Sequence, residues 1–201
     1  MEKRLHELRL ARVENPPGIF AKFLYFVGRR IFKTVPGAFS VVYGRKPALA
    51  KVAITIERTS KKLAIDDELQ LLIRAKGSHL RGCAFCHDLT LTRAFQNKLG
   101  LERFAAIADH DESDLFTASQ KVALDFVEQV CRQWRVNDET WNRLQAQYSE
   151  AEIVEILWVN ATEAYFNSMA VPLGIPSDGL LALAGGPDIE MTKTDENLPP
   201  S

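Results

Sequence analysis

Apolar residues recur every three or four positions along most of this 201-residue chain, and this spacing constrains the fold more than any other feature. An α-helix has 3.6 residues per turn, so residues at this spacing form a face that a helix can bury. The period-two pattern of a half-buried strand is almost absent. Because a chain of this length needs no cross-links to bury a core, we expect an all-α fold: one compact domain of about seven helices.

Capping residues predict where individual helices begin. Asp66 or Asp67 can cap one helix, and capping-box patterns begin at Thr117 and Ser149. Asn137 or Asp138 can cap a short helix. Three other helices are predicted. The first carries residues 19–31, the second runs from about residue 47 to about residue 58, and the third begins after residue 82 and ends near residue 97.

Two apolar stripes are typical of core or subunit-interface contacts. In the first predicted helix, one face carries the side chains of Ile19, Phe20, Phe23, Val27 and Ile31. In the helix that follows Thr117, the face predicted to lie inward carries Leu124, Val127, Val130 and Trp134.

The two ends of the chain differ in composition from its middle. Beyond Ala184 the sequence changes to Gly, Pro, Asp, Thr and Asn, which is typical of a disordered tail. We therefore predict an amino-terminal arm (residues 1–14) that orders on a partner subunit, a helical domain (residues 15–182) and a disordered tail (residues 183–201).

The net charge and the sequence of the amino terminus limit the classes of partner that the protein can have. Twenty-five Lys and Arg against 26 Asp and Glu give a net charge of −1, so no basic field attracts nucleic acid. Residues 1–10 lack the apolar core of a signal peptide, and the nearest apolar run, residues 19–27, is shorter than the roughly 20 residues of a membrane span. These features predict a cytoplasmic protein that binds neither nucleic acid nor membrane.

Cys83 and Cys86 lie three positions apart and form the sharpest chemical signal in the chain. On a helix this spacing puts both thiols on one face, so a dithiol and a disulfide are both reachable. Gly82 places Cys83 near a helix amino terminus, where the dipole favours a thiolate. The candidate cationic neighbours are Arg81, His79 and His87. A thiolate attacks peroxides and disulfides, and a second thiol closes the intermediate. The pair therefore predicts a nucleophile with its resolving thiol.

Two other interpretations of the same cysteines compete with a redox pair. Residues 83–87 match the Cys-x-x-Cys-His pattern of covalent haem attachment, which requires export, whereas no signal peptide is present. A zinc site could use Cys83, Cys86, His79 and His87, but a helix would spread the histidines over different faces. Cys131 stands alone on an apolar face and is predicted to be a packing residue. We therefore predict neither a metal nor a cofactor.

The stretch from Leu71 to Leu89, LLIRAKGSHLRGCAFCHDL, resembles the core of the carboxymuconolactone decarboxylase / alkylhydroperoxidase-D-like family. Members carry a helix ending in Gly-Cys-x-x-Cys-x-Asp, matched here by Gly82, Cys83, Cys86 and Asp88. The segments ASQKVALDFVEQV and YSEAEIVEILWVNATEAYFNSMAVPLGIP resemble the carboxy-terminal helices of the family. The resemblance covers most of the chain, from near residue 15 to near residue 180.

The resemblance implies an alkylhydroperoxidase-D-like helical domain that forms homo-oligomers. It also implies an antioxidant peroxidase that reduces a small-molecule hydroperoxide and is restored by an external dithiol reductant. In the peroxidase members the second cysteine, here Cys86, attacks the peroxide, and the first, here Cys83, resolves the intermediate. The helix dipole alone favours Cys83 as the more acidic thiol. We follow the family and take Cys86 as the attacking thiol.

The proton relay of the family's peroxidases is altered in this chain. Members place a Glu twelve positions before the first cysteine, where this chain has Leu71, and a His four positions after the second, where it has Thr90. Those groups activate the thiol and protonate the leaving oxygen. Glu68, about one helical turn before Leu71, and His87, three residues before Thr90, are predicted to substitute in part. The candidate catalytic residues are Cys86, Cys83, His87 and Glu68.

Other polar residues leave further interpretations open. His79 is another candidate base. Glu163 and Asn167 lie one turn apart on the last long helix, and Glu163 is expected to face the cysteine pocket or a subunit interface. Because the relay is altered, two alternatives to a peroxidase remain: a catalytically decayed or redox-responsive helical oligomer, and a lyase of the carboxymuconolactone decarboxylase type.

Overall fold

α-Helices account for most of the computed structural model, which describes residues 8–189, and no residue in that range lies in a strand. A π-helical turn, Phe39–Tyr43, separates the first two helices and was not predicted. Seven of the described helices have at least eight residues, which confirms the all-α class and the expected helix number. The helices are α1 (Gly18–Phe32), α2 (Pro47–Ser60), α3 (Asp67–Leu80), α4 (Ala84–Gln96), α5 (Glu102–Ala105), α6 (Ala118–Gln133), α7 (Asp138–Gln145), α8 (Glu150–Ala170) and α9 (Leu180–Ala184).

Local side-chain chemistry begins four of these helices where the sequence predicts. Asp66 caps α3 by accepting a hydrogen bond from the Leu69 amide, and Asn137 caps α7. Thr117 and Ser149 form complete capping boxes at the starts of α6 and α8. Each cap satisfies amide groups of a first helical turn, which have no partner within the helix.

Helix α3 lies at the centre of the domain, and its residues from Leu69 to Leu80 are all buried. It packs against α4, α6 and α8. One apolar cluster joins α3 to α6, α7 and α8, and includes Ile73, Val127 and Ile156. Because α3 is enclosed on every side, its polar side chains need partners inside the protein.

Parts of two predicted apolar faces do not lie in the core. Trp134 was expected to face inward, but it is 81% exposed because it is the C-cap of α6 and has left-handed backbone geometry. The predicted stripe of α1 also points outward in part: Ile19 is 89% exposed, and Phe23 and Ile31 are exposed as well. The buried face of α1 instead carries Ala21, Leu24, Tyr25 and Gly28.

Parts of the predicted arm and tail contact the domain. The amides of Arg9 and Val13 donate hydrogen bonds to the carbonyl groups of Leu173 and Ser40. At the other end, α9 crosses the predicted boundary between residues 182 and 183. The remaining arm and tail residues, 1–7 and 190–201, lie outside the described residues, so the predictions made for them stay predictions. Within residues 8–189 no helix is long and apolar enough to cross a membrane.

Candidate redox site

Cys83 and Cys86 lie where α3 turns into α4. Gly82 has a φ of +65°, a left-handed conformation that glycine adopts without strain, and it reverses the chain after α3. Cys83 is therefore the N-cap residue of α4, and Cys86 lies in the first turn of that helix. The two cysteines form a disulfide with Cα atoms 5.3 Å apart, one of the two states that their spacing predicts.

The two sulfur atoms have different surroundings. Cys83 is 1% exposed, and its Sγ accepts a hydrogen bond from the Cys86 amide at 3.3 Å. Cys86 is 5% exposed and lines a cavity that Cys83 does not line. A molecule in the cavity can therefore reach Cys86, whereas Cys83 sits behind it. A hydrogen bond from a backbone amide at a helix amino terminus favours negative charge on the Cys83 sulfur once the disulfide is reduced.

The cavity beside Cys86 has a volume of about 370 Å³ and is mainly apolar. It lies between α1, the π-helical turn, α2, α3, α4 and α8, and the loop after α8 also contributes. Its size and lining are typical of pockets that bind small organic molecules. The apolar lining includes Leu24, Phe39, Val42, Ala50, Ile54, Phe85, Leu89, Phe166, Met169 and Ile175.

Glu163 brings a buried carboxyl group to this apolar cavity. It is 3% exposed, and its Oε1 accepts a hydrogen bond from Asn167 Nδ2 at 2.7 Å. Arg74 Nη1 lies 3.4 Å from Glu163 Oε2. Burial raises the pKa of Glu163, although the charge of Arg74 and the hydrogen bond from Asn167 oppose this effect. The expectation that Glu163 faces the cysteine pocket is confirmed.

The polar lining of the cavity is concentrated on α2, α3 and α4. Arg93 Nη1 contacts both carboxylate oxygens of Glu57, at 3.0 and 3.1 Å. Burial acts to raise the pKa of Glu57, but the charges of Arg93 and Arg74 and the hydrogen bond from Arg93 outweigh it, so this pKa is lowered. Arg58 and Lys61 also line the cavity and are exposed to solvent.

Thr90 and Leu71 stand at the two positions where the peroxidases of the resembling family carry their proton relay, and the two residues lie in different places. Thr90 lines the cavity, and its hydroxyl donates a hydrogen bond to the Cys86 carbonyl at 2.9 Å. Leu71 is buried in an apolar cluster with Phe104 and Leu124. Neither side chain can accept or release a proton at neutral pH.

The structure does not bring the predicted substitutes, Glu68 and His87, to this cavity. Glu68 forms an ion pair with Arg103, with 2.6 Å between Oε1 and Nη2. His87 is buried, with its Nδ1 3.3 Å from Ser78 Oγ. Burial and the nearby His79 lower the pKa of His87 to about 4. Neither residue is among the described lining of the cavity, so a catalytic role for them stays a prediction.

The aspartate of the cysteine motif has a structural position that the sequence analysis did not predict. Asp88 Oδ2 accepts hydrogen bonds from Ser177 Oγ at 2.7 Å and from the Leu180 amide at 2.8 Å. Its Oδ1 accepts a third from the Leu181 amide at 3.0 Å. Asp88 thus holds the start of α9 against α4 and closes the domain near the cysteine pair.

Cys131 lies apart from the pair. It is half-buried against the cluster of α3, α6, α7 and α8, and its Sγ donates a hydrogen bond to Asn160 Oδ1 at 3.4 Å. Burial raises the pKa of the Cys131 thiol, as expected for a packing residue. Among residues 8–189, no group of three or more His, Cys, Asp or Glu side chains could hold a metal ion.

Known proteins resemble this chain in sequence and in fold, although no protein-family model matches it. The chain is 25% identical over 134 residues to the uncharacterised protein YdfG of Bacillus subtilis (strain 168), which covers 66% of this chain and 91% of that relative. The structure is similar to the debrominase Bmp8, with a TM-score of 0.69 and 18% identity, over 82% of this chain and 90% of that one.

A peroxidase-related protein from Ralstonia eutropha JMP134, described as an alkylhydroperoxidase AhpD core, matches over a larger share of the chain. The TM-score is 0.73 with 18% identity, over 91% of this chain and 100% of that one. With the Cys83–Cys86 pair and the all-α architecture, this similarity shows that the chain has the alkylhydroperoxidase-D-like fold.

Proposed function

We propose that this protein is a thiol-dependent oxidoreductase that reduces hydroperoxides through a dithiol–disulfide cycle of Cys86 and Cys83. The observation that carries the proposal is a disulfide of which one sulfur, that of Cys86, borders an apolar cavity while the other is enclosed. An apolar cavity favours the organic part of a hydroperoxide, and a bordering thiolate can meet its O–O bond.

The peroxidatic half of the cycle begins from the reduced pair. The Cys86 thiolate attacks the terminal oxygen of R–O–O–H, the O–O bond breaks, and Cys86 becomes a sulfenic acid. The departing R–O⁻ takes a proton and leaves as an alcohol. The Cys83 sulfur then attacks the Cys86 sulfur, the S–O bond breaks, and water leaves as the disulfide forms. The sulfur atoms are oxidised by two electrons, and the peroxide is reduced by two.

Glu163 is the acid that we propose for the departing oxygen. Its carboxyl group lines the same cavity as Cys86, and burial raises its pKa, so it holds a proton at higher pH than an exposed glutamate does. Asn167 and Arg74 fix the orientation of the carboxyl group. This placement supports Glu163 as a general acid more directly than it supports Glu68 or His87.

The reductive half returns two electrons from an external dithiol. The attacking thiolate of that reductant reaches Cys86 through the cavity, and Cys83 leaves as a thiolate. The amide of Cys86, which donates to Cys83 Sγ, stabilises that leaving group. A second thiol of the reductant then releases Cys86, and the reductant leaves as a disulfide.

We further propose that the protein acts as a homo-oligomer in the cytoplasm. The exposed apolar side chains of α1, among them Ile19, Phe23 and Phe26, support the oligomer because contiguous exposed apolar surface is typical of interaction sites. The mass of the protein in solution, measured by light scattering, tests this. A monomer at every concentration would contradict the proposal.

Peroxide consumption tests the activity directly. We expect cumene hydroperoxide to be consumed in the presence of dithiothreitol, with cumyl alcohol as the product. Cys86→Ser should abolish turnover, and reduced Cys83→Ser, treated with peroxide after dithiothreitol has been removed, should form one sulfenic acid per chain and then stop. Cys131→Ser is the matched control and should retain full activity. No turnover by the reduced wild-type protein would overturn the proposal and favour a decayed or redox-responsive oligomer.

A second set of variants tests the proton donor. Glu163→Gln should lower kcat by about a hundredfold, a typical contribution of a general acid. Glu150→Gln, an exposed glutamate at the start of the same helix, is the control. Glu68→Gln and His87→Asn test the predicted substitutes, and unchanged turnover in both variants would refute their role. Unchanged turnover in Glu163→Gln would refute the proposal that Glu163 is the proton donor.

A further inference from the structure

A second cavity, of about 390 Å³, shares part of its lining with the cavity beside Cys86. Glu57, Lys61, Arg74 and Arg93 line both cavities, and we call these four residues the charged boundary. Beyond it, the second cavity is lined mainly by polar side chains: Ser60, Asp67, Gln70 and Asn97. The charged boundary therefore lies between the polar cavity and the apolar cavity that Cys86 borders.

Positive charge exceeds negative charge in the lining of the apolar cavity, whereas the polar cavity adds one further carboxyl group, that of Asp67. Four cationic side chains line the apolar cavity, namely Arg58, Lys61, Arg74 and Arg93, against the carboxyl groups of Glu57 and Glu163. Such an excess beside a low-dielectric cavity attracts anionic groups.

The pairing within the charged boundary leaves hydrogen-bond donors for an anion. Arg93 uses Nη1 for both oxygens of Glu57, and its side chain is 32% exposed. Lys61 interacts with Glu57 electrostatically, and it is exposed. A guanidinium has five N–H donors and an ammonium has three, so the two side chains can each also bind a carboxylate. The carboxylate of Glu57 disfavours a doubly charged anion such as phosphate at the same place.

We propose that the natural substrate of the cysteine pair is a hydroperoxide of a carboxylic acid. Its apolar body occupies the cavity beside Cys86, and its carboxylate binds Lys61 and Arg93 at the charged boundary. The inference rests on the proposed peroxidase function and adds the substrate class. A cavity of 370 Å³ equals the volume of about a dozen liquid water molecules, so it suits a body of about a dozen non-hydrogen atoms.

Three hydroperoxides of one skeleton test the substrate class: cumene hydroperoxide, para-carboxycumene hydroperoxide and the methyl ester of the latter. The acid and its ester have nearly the same shape and differ in charge. We expect the acid to have a KM about tenfold lower than that of the ester, because a charge-assisted hydrogen bond at a partly exposed site contributes about that factor. Raising the ionic strength should reduce this preference.

Charge variants of opposite sign separate recognition from a structural role. Lys61→Met should raise the KM of the acid about tenfold more than that of the ester. Glu57→Gln should lower the KM of the acid, because it removes a repelling charge while keeping the shape of the side chain. Lys51→Met is the control, because Lys51 is an exposed lysine of α2, the helix that ends just before Lys61. Equal KM values for acid and ester, or equal effects of Lys61→Met on both, would overturn the inference.

A binding measurement distinguishes failure of the inference from failure of the proposed function. Para-isopropylbenzoate lacks the peroxide group, and its binding to the disulfide form can be measured by calorimetry. We expect it to bind, and Lys61→Met to weaken the Kd about tenfold. If no hydroperoxide is consumed but this binding holds, the proposed function fails and the anion site stands. If hydroperoxides are consumed but the benzoate does not bind, the inference fails alone.

Discussion

Replacement of Asp88 by alanine gives the sharpest test of how this domain is closed. The carboxylate of Asp88 accepts three hydrogen bonds from the segment that contains α9, two of them from the buried amides of Leu180 and Leu181. In Asp88→Ala those two amides lose their acceptor in a region closed to water. Ser177 is less affected, because its hydroxyl lies in a partly exposed position where water can replace the carboxylate.

The magnitude follows from those two amides. A buried donor left without a partner costs about 1–3 kcal/mol, so the two together cost roughly 2–6 kcal/mol, and we expect a loss of about 4 kcal/mol in the free energy of unfolding. For a chain of this size, that loss lowers Tm by roughly 8–16 °C. Asp88 accepts hydrogen bonds from the first two amides of α9, which have no partner within the helix, so in Asp88→Ala this helix should lose its backbone hydrogen bonds first.

Urea unfolding at neutral pH, followed by far-ultraviolet circular dichroism, measures this loss. Asp188→Ala removes an exposed aspartate from the same end of the chain and is the control. Hydrogen exchange at the Leu180 and Leu181 amides should accelerate in Asp88→Ala and stay unchanged in the control. A loss below 1 kcal/mol, with both amides still protected, would refute the assignment of Asp88 as the group that holds α9.

Three further predictions concern other buried groups. After reduction of the disulfide, iodoacetamide should alkylate Cys86 at least tenfold faster than Cys83, because of the two only Cys86 borders the cavity. Peptide mapping measures the two rates, and equal rates would contradict this prediction. Lys76→Met should lower the free energy of unfolding by about 1–3 kcal/mol in urea titrations, because the enclosed ammonium lies 2.6 Å from Glu128 Oε2 and donates to the buried carbonyl of Ile107, which then has no donor. A loss below about 1 kcal/mol would show that these contacts are dispensable. The pKa of His87 is about 4 in the folded protein against an ordinary value of 6.5, so the unfolded chain binds more protons between these values and stability falls as pH is lowered through that range. The free energy of unfolding should fall by about 3 kcal/mol near pH 4 because of His87, and this contribution should be absent in His87→Gln. An identical pH dependence of stability in the wild-type protein and in His87→Gln would refute this prediction.

Helix positions were predictable because their signals are local. The caps at Asp66, Thr117, Asn137 and Ser149 each act on an amide three residues away. The residue types that make such bonds can therefore be recognised without any knowledge of the fold. The same holds for the cysteine pair, since one helical turn brings two thiols three residues apart within reach of each other.

The orientation of the helices was less predictable. An apolar stripe shows that a helix has a face that avoids water, but it does not show whether the same chain or another one covers it. In α1, the small residues Ala21 and Gly28 lie against the domain, whereas Phe23 and Phe26 are exposed. Trp134 follows the period of α6 but lies at its last turn, where the chain leaves the core.

The all-α class, the starts of the main helices and a redox-capable cysteine pair can be recognised in the chain alone, because each depends on residues within about one helical turn. The surroundings of the pair depend instead on the packing of distant segments. Glu163 meets Arg74 across 89 residues of sequence, and Asp88 meets Leu181 across 93. The choice of Cys86 as the sulfur beside the cavity depends on the packing of α1, α2 and α8 around α4. Contacts at such separations depend on how whole helices pack, and no short pattern in the chain encodes them.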